Sequence, residues 1–292
     1  MALSEYLSLT FTATLEYEEI LKGYFLINYD VQGFEESSTG LLTIYLLREE
    51  WDEENQSTLK EFLATLPDKQ VHLLGSEEIE EKDWNAVWEA EIEPVKISDE
   101  LVIAPSWKME DAKKLNSKYL LTIDPKMSFG TGHHETTRLC LQAIERLNCK
   151  GRSILDIGTG TGALAMYALM RGAKLAVGID TDEWSYKNVI ENRERNSFSE
   201  QQFDLRHGDL AATIKAEEYF EIILANIHRN ILLAIANKIK SHQKTDGRLI
   251  LSGILEYDAE EVLGAYQNIG YVLIQQMQEN EWIAMHLELT AL

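Results

Sequence analysis

The sequence contains two cysteines, Cys140 and Cys149, too few for a disulfide framework or a four-cysteine zinc site. We expect no metal site. Four prolines and 17 glycines in 292 residues are also too few for a collagen-like or disordered chain. No run of about 18 apolar residues occurs, which predicts that no helix spans a membrane. The start, MALSEYLSLTF, has neither the basic nor the apolar region of a signal peptide. These features predict a cytoplasmic protein with reduced cysteines.

Basic side chains are scarce. The chain has 27 Lys and Arg against 49 Asp and Glu, a formal net charge of −22 and a pI near 4.7. A chain this negative is repelled by nucleic acid phosphates and by anionic lipids, so we expect neither nucleic acid nor a membrane as a partner. Residues 1–105 hold 24 acidic and 6 basic side chains, whereas residues 106–292 hold 25 and 21. The acidic first third is either a solvated surface or a docking surface for a basic partner.

The length predicts about two domains, and the first 80 residues form the first of them. Tyr6–Thr14 alternates apolar and polar residues, as a half-buried strand does, and Pro67 ends a helical stretch. The order strand, helix, strand, strand, helix, strand predicts a small ferredoxin-like α+β domain. Its predicted elements are Tyr6–Thr14, Tyr17–Phe25, Val31–Glu35, Leu41–Leu47, Thr58–Leu66 and Val71–Leu74. A linker follows at residues 81–107, with a short helix at Asp83–Glu91.

Residues 108–292 form the second predicted domain. Strands alternate with helices from Tyr119 onward, the pattern of an open parallel α/β sheet. The last two strands are joined by a short turn and should be antiparallel. The predicted strands are Tyr119–Ile123, Arg152–Ile157, Leu175–Ile179, Phe203–His207, Phe220–Ala225, Gly247–Ser252, Tyr271–Met277 and Trp282–Leu289. The predicted helices are His134–Leu147, Ala163–Arg171, Glu183–Asn196, Ile231–Ile239 and Ala259–Ile269.

A glycine-rich loop, DIGTGTG, follows the first core strand of this domain. Asp156 ends the strand, and Gly158, Gly160 and Gly162 come before the next helix. Glycine permits the unusual backbone angles of such a turn and lets a ligand approach the main chain. Asp180 ends the following strand about 20 residues later, where a carboxylate can accept hydrogen bonds from both hydroxyls of a ribose. Together these features predict a binding site for a nucleoside-containing cofactor.

Two cofactors fit this pattern. Gly158, Gly160 and Ala163 also match the dinucleotide fingerprint G-x-G-x-x-A, so an NAD-dependent oxidoreductase or a non-catalytic nucleotide-binding module stays open. S-adenosylmethionine is favoured because Asp156 suits a cationic ligand and would repel a pyrophosphate. Polar residues also end two further strands, at Asp209 and Asn226, where they could contact an adenine and a reaction centre.

The glycine loop and Asp180 resemble those of class I methyltransferases, which have a seven-stranded Rossmann-like domain. A second motif, DPKMSFGTGHHETT at residues 124–137, narrows the resemblance to the ribosomal protein L11 methyltransferases. The segments LANI at 224–227 and LSGIL at 251–255 agree with it. The likeness covers roughly residues 84–289, and the first 80 residues agree in pattern only. Lys126, Ser128 and residues 227–230 depart from the usual pattern of the family.

The resemblance implies roles for individual residues. Thr137 and Gly158 would contact the methionine end of S-adenosylmethionine, and Asp180 would hold its ribose. Asp209 would reach the adenine amino group. Asn226 would face the reactive methyl group and the incoming amine, as the catalytic residue. A flap over the cofactor would consist of Phe129, Gly130, Thr131 and Gly132. Asp156 and Gly160 complete the predicted cofactor site.

The resemblance also implies an activity, which is methylation of amino groups in a basic protein of the large ribosomal subunit. The acceptors would be lysine side chains, with the N-terminal amine as a further candidate. The acidic first domain would then dock this substrate. A class I methyltransferase that acts on another protein or on a small molecule is the alternative.

Overall fold

The computed structural model describes residues 6–36, 41–66, 71–79, 92–124, 126 and 128–290. The chain divides into two compact units, residues 1–91 and residues 92–292. Within the described residues, no helix is both long and apolar enough to cross a membrane.

The first unit contains a four-stranded antiparallel sheet in the order β2-β3-β1-β4. Its elements follow the predicted βαββαβ order. Leu42, Ile44 and Leu46 alternate along β3 and are buried, because successive side chains of a strand point to opposite faces. The elements are β1 (Tyr6–Ala13), α1 (Leu15–Asn28), β2 (Val31–Glu36), β3 (Leu41–Leu47), α2 (Glu53–Ala64) and β4 (Val71–Ile79).

The largest differences from the predicted boundaries in this unit are at the start of α2 and the end of β4. Helix α2 begins at Glu53 rather than Thr58, because the side chain of Asp52 accepts a hydrogen bond from the backbone N–H of Asn55 and caps the helix. Strand β4 continues to Ile79 because it pairs with β1 along its whole length.

The second unit begins with a small three-stranded sheet, of which only the last strand was predicted, as Tyr119–Ile123. Strands β5 (Val95–Lys96), β6 (Leu101–Ala104) and β7 (Tyr119–Thr122) pair in this order, and α3 (Met109–Lys114) lies between the last two. Strand β7 therefore pairs with β6 and not with the large sheet. Residues 95–104 fell in the predicted linker, yet Leu101 and Val102 are fully buried and belong to the second unit. The predicted helix Asp83–Glu91 lies outside the described residues.

The large sheet has seven strands in the order β10-β9-β8-β11-β12-β14-β13. The first five are parallel, and β14 runs antiparallel to them. Strands β13 and β14 are antiparallel to each other, as predicted. Its strands are β8 (Ser153–Ile157), β9 (Leu175–Asp180), β10 (Phe203–His207), β11 (Phe220–Asn226), β12 (Gln243–Leu255), β13 (Tyr271–Glu279) and β14 (Trp282–Leu289). The helices are α4 (Glu135–Glu145), α5 (Ala163–Met170), α6 (Glu183–Arg195), α7 (Leu210–Thr213), α8 (Arg229–Ser241) and α9 (Ala259–Gln267).

Apolar layers cover both faces of the large sheet. The central strands β8 and β11 are buried along nearly all their length, which is why they contain continuous apolar runs. Helix α5, ALAMYALM, is buried at seven of its eight residues and packs in one of these layers. Cys140 and Cys149 are both free thiols buried in the same layer.

The segment around Asp124, which precedes α4, is fixed by the hydrogen bonds of two buried residues, Asp124 and Asn192. The side chain of Asp124 accepts hydrogen bonds from the backbone N–H and hydroxyl of Ser106 and forms an ion pair with Arg195. Asn192 on α6 is fully buried. Its Oδ1 accepts from the backbone N–H of Asp124 at 3.0 Å, and its Nδ2 donates to the carbonyl of Thr161 at 3.2 Å. Asn192 therefore joins this segment to the glycine loop.

We expect Asn192→Ala to lower the free energy of unfolding by about 2–6 kcal/mol, because a buried N–H and a buried carbonyl each lose a partner at a cost of about 1–3 kcal/mol. Chemical denaturation measures this change. Gln201→Ala, at an exposed turn residue, is the control and should stay within about 0.5 kcal/mol of the wild type. Equal stability of the two variants would contradict the role of Asn192.

Candidate functional site

The polar residues singled out in the sequence meet at the carboxyl ends of the parallel strands. Asp156 is the next-to-last residue of β8, Gly158 follows that strand, Asp180 ends β9, and Asn226 ends β11. Residue Ile157 of β8 lies opposite Ile179 of β9, so these strand ends are level with one another. Ligands of open α/β sheets bind at this edge.

The glycine loop has a backbone that other residues rarely adopt. Gly158, Gly160 and Gly162 have φ values of 68°, 53° and 82°. The loop is fixed to β9, because the N–H groups of Gly158 and Thr159 both donate to the carbonyl of Ile179. A Cβ atom at Gly158 would lie 2.3 Å from Cγ2 of Ile227.

The segment of residues 128–132 packs against this loop through its main chain. The carbonyl of Phe129 accepts a hydrogen bond from the N–H of Thr161 at 2.9 Å, and the carbonyl of Gly130 accepts from its hydroxyl at 2.7 Å. A Cβ atom at Gly160 would lie 2.3 Å from the carbonyl oxygen of Phe129. The close approach of these two backbones therefore needs glycine at residue 160.

The other two residues of the predicted flap lie elsewhere. Thr131 has its hydroxyl 3.2 Å from Nδ1 of His133. Gly132 packs against Ile103 of the small sheet, whose Cδ1 would be 3.1 Å from an added Cβ atom. Among the described residues, the hydrogen bonds from this segment to the glycine loop thus come from Phe129 and Gly130.

Asp180 and Asp209 line an open cleft beside the loop. Asp180 accepts hydrogen bonds from the N–H of Gly160 at 2.8 Å and of Asp182 at 3.0 Å. Asp209 is exposed and caps α7 by accepting from the N–H of Ala212. Gly158 also lines the cleft. Its apolar wall comprises Ile157, Ile179, Leu210, Ile227, Ile231 and Ile235. A slot with apolar sides and carboxylates at its rim suits a nucleoside.

Four buried polar atoms of the site have no hydrogen-bond partner. They are Oγ of Ser128, Oγ1 of Thr137, Oδ1 of Asp156 and Oδ1 of Asn226. Leaving a buried polar group unpaired costs about 1–3 kcal/mol, so each of these atoms is a candidate partner for a polar ligand. Thr137, Asp156 and Asn226 are sequence-predicted site residues. Ser128 was noted only as a departure from the family, because burial cannot be read from one residue in a loop.

Asp156 is the most perturbed carboxyl group of the site. It is buried, and one of its oxygens accepts a hydrogen bond from the hydroxyl of Thr159 at 2.8 Å. Burial raises the pKa of Asp156 to about 7, although the Thr159 hydrogen bond opposes the shift. The carboxyl group therefore holds a proton near neutrality, and a cationic group beside it would favour the ionised form.

The departures from the family pattern have local structural explanations. Lys126 forms an ion pair with Glu191 at 2.6 Å on the outer side of α6. His228 caps α8 through its Nδ1, which accepts from the N–H of Asn230. Arg229 pairs with Asp258 and Glu261 at the start of α9. These contacts stabilise the surroundings of the site.

The sheet order, the glycine loop after the first strand of the large sheet and the carboxylate after the second define a class I methyltransferase. A crystal structure of ribosomal protein L11 methylase from Lactobacillus delbrueckii subsp. bulgaricus agrees with this class. It aligns with a TM-score of 0.62 and 28% sequence identity, and the match covers 68% of this chain and all of that one.

The family follows from sequence comparison. Residues 11–290 match the family model described as "Ribosomal protein L11 methyltransferase (PrmA)". A protein of that name from Chlorobaculum parvum is 34% identical over 248 residues, which cover 85% of this chain and 84% of the relative. Another from Bacteroides fragilis is 35% identical over 249 residues, with 84% and 85% covered. The chain belongs to this family, which implies a cofactor of the S-adenosylmethionine type.

We expect Gly160→Ala to weaken the contact between the glycine loop and Phe129, because the new methyl group would meet the carbonyl oxygen of Phe129 in a backbone that disfavours alanine. Amide hydrogen exchange of residues 128–132 should quicken, and the free energy of unfolding should fall by about 1–3 kcal/mol. Gly264→Ala is the matched control. Its added Cβ would meet no atom within 4 Å, and alanine should stabilise helix α9 by up to about 1 kcal/mol. Unchanged exchange in Gly160→Ala would reject the contact.

Asp156 should make stability depend on pH. The unfolded chain releases the Asp156 proton near pH 4, whereas the folded protein retains it up to a pKa of about 7. The folded state thus binds more protons between these values, and stability must fall as pH rises through this range. Relative to Asp156→Asn, we expect the wild type to lose up to about 1.4 kcal/mol per pH unit from pH 5 to 7. Parallel pH profiles of unfolding for the two proteins would contradict the raised pKa.

Proposed function

We propose that this protein transfers methyl groups from S-adenosylmethionine to amino groups of ribosomal protein L11, on lysine side chains and at the N-terminal amine. The match of residues 11–290 to the family is the observation that carries the proposal. The named relatives from Chlorobaculum parvum and Bacteroides fragilis support the substrate. The test is transfer of labelled methyl groups from the cofactor to purified ribosomal protein L11, with other basic proteins as comparison.

The residues of the site fit this cofactor. Unpaired oxygens of Thr137 and Asp156 suit the cationic amine of its methionine end, and Gly158 leaves room for it at the loop. Asp180 would hold the ribose, and Asp209 would reach the adenine amino group. When bound, the cofactor supplies a methyl group already activated on a positively charged sulfur.

The protein must orient the acceptor amine and allow it to lose a proton. A free lysine has a pKa of about 10.4, and removal from water lowers it. The Oδ1 atom of Asn226 is buried and has no partner, so it can accept a hydrogen bond from the amine. That bond would fix the direction of the nitrogen lone pair, as in-line transfer requires.

We expect Asn226→Ala to lower kcat by about 100-fold, the order of loss that misplacement of a reacting group causes. The Kd for S-adenosylhomocysteine, measured by calorimetry, should change by less than about threefold, because the other cofactor contacts remain. Equal losses of turnover and cofactor affinity would argue against the orienting role of Asn226.

The acidic first unit is proposed to dock the basic substrate. Among the described residues of this unit, the exposed carboxylates of Glu54, Glu61 and Glu77 form no ion pair. Unpaired carboxylates attract cations over about a Debye length, roughly 8–10 Å at physiological salt. They can therefore steer a basic protein toward the chain and raise the rate of encounter.

We expect the double variant Glu54→Gln/Glu77→Gln to raise the KM for ribosomal protein L11 by about two- to fivefold at low salt, since exposed charge pairs contribute up to about 1 kcal/mol. The difference should shrink at higher ionic strength. Glu194→Gln/Glu217→Gln removes two exposed carboxylates of the second unit and serves as the control. Identical KM values for the two double variants would reject docking by the first unit.

A further inference from the structure

We propose that the rings of Phe129, His134 and Trp282 form an aromatic wall that binds the acceptor amine in its charged forms. The inference rests on the proposed function and adds the element that recognises the acceptor. The three rings make one row. The centroid of His134 lies 5.1 Å from that of Phe129 and 5.0 Å from that of Trp282, and both pairs meet edge to face.

The Phe129 end of this aromatic wall adjoins the cofactor loop. The main chain of Phe129 is hydrogen-bonded to Thr161, while its side chain is 51% exposed. Packing within the protein therefore leaves about half of this side chain free to contact a ligand. An apolar ring exposed beside a polar site is a feature of binding surfaces.

His134 occupies the centre of the wall and starts helix α4. Its Nδ1 accepts a hydrogen bond from the backbone N–H of Thr136, and the next residue is Thr137, whose hydroxyl is one of the unpaired atoms of the site. Because Nδ1 accepts, the neutral imidazole carries its proton on Nε2. The lone pair of Nδ1 is therefore already used in a hydrogen bond and is not free to accept a proton from the amine. We accordingly assign His134 to the wall and not to proton transfer.

The Trp282 end of the aromatic wall is connected by hydrogen bonds to helix α4 and to strand β12. The turn before Trp282 is joined to α4, since Asn280 donates to Glu135 at 3.0 Å and Arg138 binds Glu279. On the other side, the carbonyl of Ile283 accepts from the hydroxyl of Ser252 at 2.8 Å, and Ser252 pairs in register with Asn226.

These contacts form a continuous rim. From Asn226 the rim runs through Ser252 to Trp282 and through His134 to Phe129. From Phe129 it returns along the glycine loop to Gly158, where an added Cβ atom would touch Ile227 next to Asn226. The aromatic wall therefore lies on the same rim as the proposed catalytic amide.

An aromatic wall suits an acceptor that stays cationic. The amine arrives as an ammonium ion, and each methylated product can also carry a positive charge. Aromatic faces attract such cations without the strong hydration that a carboxylate keeps, most of all when the cation bears methyl groups. Glu135, which lies 3.8 Å from Nδ1 of His134, already accepts a hydrogen bond from Asn280. The proposed ligand is an ammonium or methylammonium group at the end of a flexible methylene chain.

The charge preference can be measured without turnover. Two peptides of ribosomal protein L11 are compared, one with trimethyllysine at a methylated position and one with its neutral tert-butyl isostere. Calorimetry with the full-length protein should give a Kd roughly 2- to 30-fold lower for the trimethyllysine peptide, the range that cation–π attraction provides. Equal affinity for the two peptides would overturn the proposal.

Variants then assign the preference to the wall. Trp282→Phe keeps an aromatic face and should keep the preference for the charged peptide, whereas Trp282→Leu and Phe129→Leu should lose most of it. Tyr219→Ala is the control, because Tyr219 is 50% exposed and precedes β11 at the opposite edge of the sheet. An unchanged far-ultraviolet circular dichroism spectrum and an unchanged unfolding midpoint show that each variant is folded. A preference that survives both leucine variants would reject the wall.

The two proposals fail in different ways. If the wild type methylates ribosomal protein L11 but the leucine variants behave as Tyr219→Ala does in KM and in peptide preference, the wall is wrong and the proposed function stands. If the wild type transfers no methyl group to ribosomal protein L11 and binds neither peptide, the proposed function is wrong and the wall is rejected with it.

Discussion

The site depends on the close approach of two backbones at Gly160. The carbonyl oxygen of Phe129 lies where a side chain at residue 160 would begin, and the N–H of Gly160 donates to Asp180. One glycine thus lets the segment before α4 contact the loop after β8, and its N–H also binds the carboxylate of Asp180 at the end of β9. The three elements are far apart in sequence, and this contact brings their functional groups to one edge of the sheet.

The sequence predicted this architecture because its signals are local. Burial of the central strands requires continuous apolar runs. The turn after β8 requires glycine at alternate positions, and the carboxylate about 20 residues later marks the end of the next strand. In the small sheet of residues 95–122 only β7 was predicted as a strand, since β5 and β6 are too short to show periodicity. The extended starts of α2 and β12 were also missed, because a capping side chain and a partner strand set those boundaries.

Some residues of the site could be predicted from the sequence and others could not, depending on whether a local pattern marks their position. Asp156 and Asp180 stand at strand ends, so the sequence alone indicates their position. Ser128 and His134 are recognised only when burial and ring contacts are known, because a serine or histidine in a loop is usually a surface residue. The buried Asn192, which joins the two halves of the site, gives no sequence signal apart from lying on a predicted helix.

The electrostatics of the site favour a cation in two separate places for two different reasons. The Asp156 carboxyl group is buried, which raises its pKa. A positive group bound beside it would stabilise the ionised carboxylate and would give its unpaired oxygen a partner. At the rim, the row from Phe129 to Trp282 offers polarisable aromatic faces. A carboxylate at the rim would bind an ammonium ion strongly and oppose loss of its proton, since an opposite charge raises the pKa of an amine. Aromatic faces attract the same ion more weakly, so the amine can still become neutral before it reacts.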